Sequence, residues 1–216
     1  PMRRILCVFS RAAAPSPMNI MIPQTANPPA ATARDRLIDT AIALFNRHGF
    51  HATGVDRIVA VAKVAKKTLY AHFPSKEDLI LAALSRKRAA FADKFLPAVL
   101  ATSDQPRERL LGLFELAKSW FADPDFYGCL FVNAAVEYSE ASHPINACAR
   151  EFKTLLRGFA REQATLGGAA DPETLADQIA LLFEGATTVA QVQARPDAPT
   201  TAKTIPAQLI DQAFRR

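Results

Sequence analysis

The sequence predicts an all-α fold, on three observations. Apolar residues recur at three- and four-residue spacing along nearly every long segment, the period of a buried helix face. No stretch alternates apolar and polar residues as a half-buried strand does. Proline, glycine and capping residues punctuate the chain at helix-length intervals. At 216 residues, 50% hydrophobic and 22% charged, the chain is long enough to bury a core without staples.

Residues 1–33 have neither period, and Pro, Ala, Ser and Asn dominate 12–33. They read as a mobile N-terminal arm or as sequence foreign to the native chain, with Met18 and Met21 as alternative starts. The apolar stretch Ile5–Phe9 falls short of the roughly 7–15 residues of a secretory core, so no signal peptide is expected. No apolar run approaches the ~18 residues a bilayer requires. The expected location is the cytoplasm.

Residues 34–48 place Leu37, Ile38, Ala41, Leu44 and Phe45 on one face, and Gly49 supplies the stop. Thr53, with Asp56 three residues on, reads as the N-cap of a short second helix bearing Val55, Ile58, Val59 and Ala62. A third short helix fits 66–72, with Leu69 and then Phe73 facing inward. Pro74-Ser75 breaks it, and Ser75 with Asp78 caps a longer helix running from Lys76 towards Leu96, ended by Pro97. Further helices are expected at about 106–122, 126–141, 145–165, 172–194 and 203–215. Their boundaries fall at Pro106, Asp123-Pro124, His143-Pro144, Gly167-Gly168 and Pro196/Pro199. The fold is thus a three-helix head (34–80) and a helical body (81–216), the latter a bundle of about five longer helices.

Charge divides along the same line. The net +5 resolves into +3 over residues 1–33, +6 over 34–94 and −4 over 95–216. A basic head on an acidic body suggests a polyanion-binding head and a body with another task; a merely mixed, soluble surface is the plainer alternative. Cys7, Cys129 and Cys148 show no CxxC spacing, which excludes a disulfide framework and a zinc knuckle. No cofactor and no metal is expected.

Two short helices joined by a three- or four-residue turn, the second basic and hydroxyl-rich, describe a helix-turn-helix. Its second helix must enter a major groove about 12 Å wide while its inner face stays locked to the first helices. Leu69 and Phe73 supply the lock. Lys66, Lys67, Thr68, Tyr70 and His72 point outward, each able to contact phosphate or a base edge, and Lys76 sits at the next helix N-terminus, where a phosphate is favoured. Against this, Tyr70 reads partly as packing and Lys66/Lys67 as a solvated face.

The run Thr53-Gly-Val-Asp56-Arg-Ile58, followed by Ala62-Lys-Val-Ala-Lys-Lys-Thr-Leu-Tyr-Ala-His-Phe-Pro-Ser-Lys-Glu-Asp-Leu79, resembles the DNA-binding signature of TetR-family bacterial repressors over about 34–80. Carried over by motif, the resemblance implies DNA contacts from Thr53, Lys66, Lys67, Thr68, Tyr70, His72 and Lys76. Two positions depart from the family pattern: Lys63, where many relatives carry a turn glycine, and Ala65, where a serine often caps the recognition helix. Lys63 is expected to add a phosphate contact. The acidic, helical remainder looks like the family's ligand-binding and dimerising domain.

In the body, Cys129, Asn133 and Glu137 form a polar line at i, i+4 and i+8 on an otherwise apolar helix. Such a line either is satisfied by neighbouring helices or faces a cavity. With Phe114, Trp120, Phe121 and Phe183 it outlines an effector pocket, the polar groups orienting a mainly hydrophobic ligand. Two rival uses are a Glu137/Glu140/His143 metal site and a Cys129–His143 nucleophile pair; no third orienting group accompanies the pair. The helix over 172–194 is too apolar for a lone surface helix. By family resemblance it would pair with its copy across a twofold axis, together with the last helix, through Leu175, Ile179, Leu182, Ala186, Val189, Leu209 and Ile210; alternatively, both helices close the monomer's own core.

The expectation is a homodimeric, ligand-responsive repressor that binds a palindromic double-stranded operator and is released by a small molecule, with no membrane and no catalysis involved. The alternatives are an effector-independent architectural or activating DNA binder, and an all-α enzyme using Cys129 and His143.

Overall fold

The structure, a computed structural model, describes residues 31–193 and 198–214, side chains excepted over 198–203. The expected arm therefore lies, up to residue 30, outside the described residues. Its last residues belong to the head, because the Thr32 hydroxyl accepts the Asp35 N–H and caps α1 (Ala33–His48). The five apolar residues spaced for one face of α1 are all buried. Gly49 ends the helix at φ 84°, its N–H closing on the Phe45 carbonyl.

α2 (Val55–Ala62) and α3 (Lys66–His72) pack on α1 through Ile58, Leu69 and Phe73. The turn between them runs through Lys63 at φ 52°, ψ 49°, so a lysine adopts the left-handed conformation for which glycine is the usual choice. α4 (Lys76–Ala90) opens on a reciprocal capping box. Ser75 Oγ accepts the Asp78 N–H at 3.1 Å, and the Asp78 carboxylate accepts the Ser75 N–H at 2.9 Å.

Thr53 does not cap α2. Gly54 holds that position, and the Thr53 hydroxyl donates instead to the carbonyls of Gly49 (2.7 Å) and Leu44 (3.3 Å), tying the α1–α2 loop to the end of α1. Nor does Pro97 end the long helix. A π turn over Phe91–Phe95 closes with the Leu96 N–H on the Phe91 carbonyl, and Pro97 then lies in the first turn of α5 (Leu96–Leu100).

α6 (Pro106–Phe121) follows. α7 covers only Leu130–Glu137, because Gly128 at φ 84° and extended Cys129 delay its start and Tyr138 leaves helical geometry. α8 (Pro144–Leu166), α9 (Pro172–Val192) and α10 (Ala198–Ala213) complete the body. α10 begins ahead of the expected 203, with Pro199 in its first turn and Pro206 inside it.

Two apolar clusters result. One joins Phe91, Phe95 and Val99 to the inner faces of α6, α8, α9 and α10. The other holds the head residues of α1–α4, but Leu130, Phe131 and Ala134 of α7 and Ile145 and Ala149 of α8 belong to it too. Packing is thus continuous across the division expected at residue 80. Arg86 of α4 reinforces α1 through Asp35 and Asp39.

Candidate nucleic-acid interface and effector cavity

α3 is held from behind and open in front. Leu69 is fully buried, Phe73 nearly so, and the Arg34 guanidinium lies 5.3 Å from the Phe73 ring centre. Lys66, Lys67, Tyr70 and His72 are exposed, Thr68 is half-buried, and Lys63 is exposed on the turn. Lys66 already pairs with Asp56 at 2.8 Å, but both groups are solvent-exposed, so the pair is weak and a phosphate can compete for the lysine. Lys76 is half-buried at the start of α4; burial pushes its pKa down and the nearby Glu137 charge counters this. Thr53 leaves the candidate set, since its buried hydroxyl is spent on carbonyls. Arg34, at the far end of α3, joins it, and the stacking partner that places it there is invisible in the sequence.

The polar line on α7 does not form one ligand surface. Glu137 grips the head: its carboxylate accepts the N–H groups of Phe50 (2.7 Å) and His51 (2.6 Å) and lies 2.9 Å from His51 Nδ1. Burial alone would raise its pKa, but the two backbone donors and His51 outweigh it and hold the carboxyl below its usual value. Asn133 donates to the Tyr127 carbonyl at 3.3 Å. Only Cys129 reaches the cavity, so Asn133 and Glu137 are corrected from ligand contacts to braces. His143 caps α8, its Nδ1 accepting the Ile145 N–H, and faces Glu77, whereas Cys129 faces Lys153; the two are engaged with different partners.

A small cavity, partly open to solvent, lies between α1, α4, the π turn, α6, α7, α8 and α9. Its apolar walls include Phe91, Phe95, Trp120, Phe131, Phe152 and Phe183. Its polar groups are Asn46, Lys87, Cys129, Lys153, Glu184 and Thr187. Of the expected aromatics, Trp120 and Phe183 line it. Phe114 and Phe121 are instead buried in the body core, Phe114 edge-on to Phe183. Lys153 bridges Glu184 at 2.7 Å and lies 3.3 Å from Cys129 Sγ. Asn46 and Lys87 also line a second, more polar cleft with Arg47, Arg57, Asp123 and Asp125. Sequence reasoning missed Asn46, Lys87 and Lys153 because they come from three separate helices.

The expected interface residues of α9 and α10 divide between the chain's own core and its margin. Leu175, Ile179 and Ala186 are buried within the chain, as is Ile210 on α10, while Leu182, Val189 and Leu209 pack partly against the same core. The exposed apolar positions are Leu181 (74%) and Val192 (75%), with exposed Gly185 and Thr188 between them and Ile205 (46%) on α10. Apolar residues cover both sides of α9, so periodicity alone did not choose between them.

A helix pair locked from behind, a basic second helix and a cavity-bearing helical body define a helix-turn-helix regulator. Family models agree: residues 37–83 match the bacterial regulatory proteins of the tetR family, and 106–205 match the tetracyclin repressor-like C-terminal domain. A TetR-family regulator from Streptomyces avermitilis is 36% identical, with 86% of this chain and all of that chain covered and a TM-score of 0.75. Another, from Streptomyces coelicolor, is 26% identical at a TM-score of 0.80, covering 85% of this chain and 96% of that one. The transcriptional regulator AcuR of Cereibacter sphaeroides is 29% identical over 79% of this chain and 81% of its own length. The repressor ComR of Escherichia coli is 31% identical over 52% of this chain, and the match spans about half of its own length (54%). The chain belongs to the TetR family and is a DNA-binding transcriptional regulator, a class in which repressors are common. Among the described residues, no helix is long and apolar enough to cross a membrane.

Proposed function

We propose that this protein is a homodimeric repressor that binds a palindromic operator and is released by a mainly hydrophobic small molecule. The observation that carries the reading is the makeup of the cavity wall: Asn46 comes from α1 of the head and Lys87 from α4. α4 also contributes Leu79, Ile80, Ala83 and Leu84 to the head core, within about two turns of Lys87. A ligand that engages Lys87 therefore bears on α4, which packs on α1, the helix that with α2 seats α3. Regulation requires only that the ligand prefer the DNA-incompetent arrangement. Phosphates would be met by Lys63, Lys67, Lys76 and Arg34, and base edges by Thr68, Tyr70 and His72. Two copies would join along the outer face of α9, where the large apolar Leu181 and Val192 stand exposed with the small Gly185 and Thr188 between them, a surface that lets two helices approach closely.

The test is a footprint of the protein on the DNA upstream of its own gene, alongside a scrambled duplex. Protection of a palindrome, relieved by small molecules extracted from the purified protein, is the expected result. Equal affinity for both duplexes overturns the repressor reading.

A further inference from the structure

We infer that the effector is a monoanionic carboxylic acid on an apolar, ring-sized body, anchored by its carboxylate on Lys87. This rests on the repressor reading above and assigns the chemistry of the molecule that its cavity takes.

Charge in the cavity wall is unbalanced by one. Lys153 and Glu184 neutralise each other at 2.7 Å. Lys87 is the remaining cation of that wall; Asp123, outside the wall, acts on it through charge, but no hydrogen bond holds its ammonium among the described residues. It is largely withdrawn from solvent, and burial pushes its ammonium pKa down. A buried ammonium without an acceptor is costly, so an arriving carboxylate relieves a penalty as well as making a charge-assisted contact. One cation in the wall, partly offset by Asp123 behind it, favours a monoanion over a dianion, which would bring a second charge into an apolar space.

A second observation adds a detail. Asn46 Oδ1 is buried on the same wall and accepts no hydrogen bond among the described residues, while its Nδ2 reaches the Asp125 carbonyl at 3.5 Å. It is an acceptor awaiting a donor, such as a hydroxyl carried on the ligand's body. Much of the remaining wall is aromatic, with Phe131 stacked on Phe152 at 3.7 Å between ring centres and Trp120 held edge-on by Phe126 behind it. Such a wall fits a flat or short-chain apolar body.

The experiment titrates purified full-length protein with benzoate, phenylacetate, 4-phenylbutyrate and their 4-hydroxy derivatives. Each is compared with its neutral carboxamide, by calorimetry and by release from operator DNA. At least one acid should bind more tightly than its amide by about 10- to 150-fold, the ratio that a hydrogen-bonded charge supplies. Lys87→Met should collapse that ratio to near one, and Lys87→Arg should restore most of it. The matching hydroxyl should tighten binding in wild type but not in Asn46→Leu. If the amides bind as well as the acids, or if Lys87→Met keeps the preference, the carboxylate assignment is wrong while a neutral effector stands. If no acid binds, yet extracts relieve DNA binding, the assignment again fails and the repressor reading survives. If neither probes nor extracts bind or release DNA, both fail together.

Discussion

Glu137, at the last turn of α7, holds the backbone of His51, 86 residues earlier, at 2.6 Å. The same carboxylate takes the Phe50 N–H, so a body helix closes the loop that follows α1. Gly49 is required beneath it: a Cβ there would lie 2.9 Å from Glu137 Oε1, on a backbone already at positive φ.

Replacing Glu137 with Gln should lower stability by about 1.5–3 kcal/mol, the usual worth of hydrogen bonds to a charged group. Because the folded carboxyl has a lowered pKa, its contribution is present above the unfolded value and disappears as pH falls through the folded one. Wild type should therefore lose stability on acidification below the ordinary carboxylate range, and the variant should show less of that slope. Parallel pH–stability curves for the two proteins would refute the tether.

At the head, Lys76→Ala should weaken binding to every duplex and reduce the salt slope by about one phosphate. Thr53→Val should do something different. It takes the donor from the half-buried Gly49 carbonyl, at a cost of about 1 kcal/mol in stability, and leaves the salt slope unchanged. A shallower slope in Thr53→Val would return this residue to the DNA contacts.

Along α9, Leu181→Arg and Ile179→Arg separate surface from core. The first should give a folded monomer by sedimentation, since it places a charge only in the contact between copies. The second buries a charge in the chain's own core, costing several kcal/mol, and should unfold it. A dimer of unchanged affinity in Leu181→Arg would move the interface elsewhere.

The turn at Lys63 offers a fourth check. Left-handed geometry costs an L-residue roughly 1–2 kcal/mol, part of which glycine gives back as chain entropy. Lys63→Gly should raise the urea midpoint slightly, and Lys63→Val should lower it. A lower midpoint in Lys63→Gly would mean that the lysine side chain stabilises the turn by contacts of its own.

The head was legible in the sequence because its signals are local. The face of α1, the bounds of α3 at 66–72 and the Ser75/Asp78 box all arise within a few residues. Lys63 and Ala65 broke the family pattern without disturbing the turn, since the backbone tolerates one left-handed lysine. The cavity was half legible. Trp120, Cys129 and Phe183 line it, but Asn46, Lys87 and Lys153 meet there only through packing of α1, α4 and α8. Glu137 was misread for the same reason: spacing shows that a polar residue needs a partner, and the partner was a loop 86 residues away. On α9, Ile179 and Leu181 are equally apolar, so hydrophobicity marked the helix without telling its inner face from its outer one.

Leu130, Phe131, Ala134, Ile145 and Ala149 complete the apolar cluster of the head from the far side of α7 and α8. A fragment ending at residue 80 would leave that cluster open to water, and each unburied large side chain forfeits about 1.5–3 kcal/mol. The DNA reader is accordingly packed into the body, and the expectation is that it melts with the rest of the chain as one cooperative unit. Chimeras that graft a foreign reader onto this body must carry matching residues on α7 and on the first turns of α8, or the seam will expose a greasy half-core and aggregate.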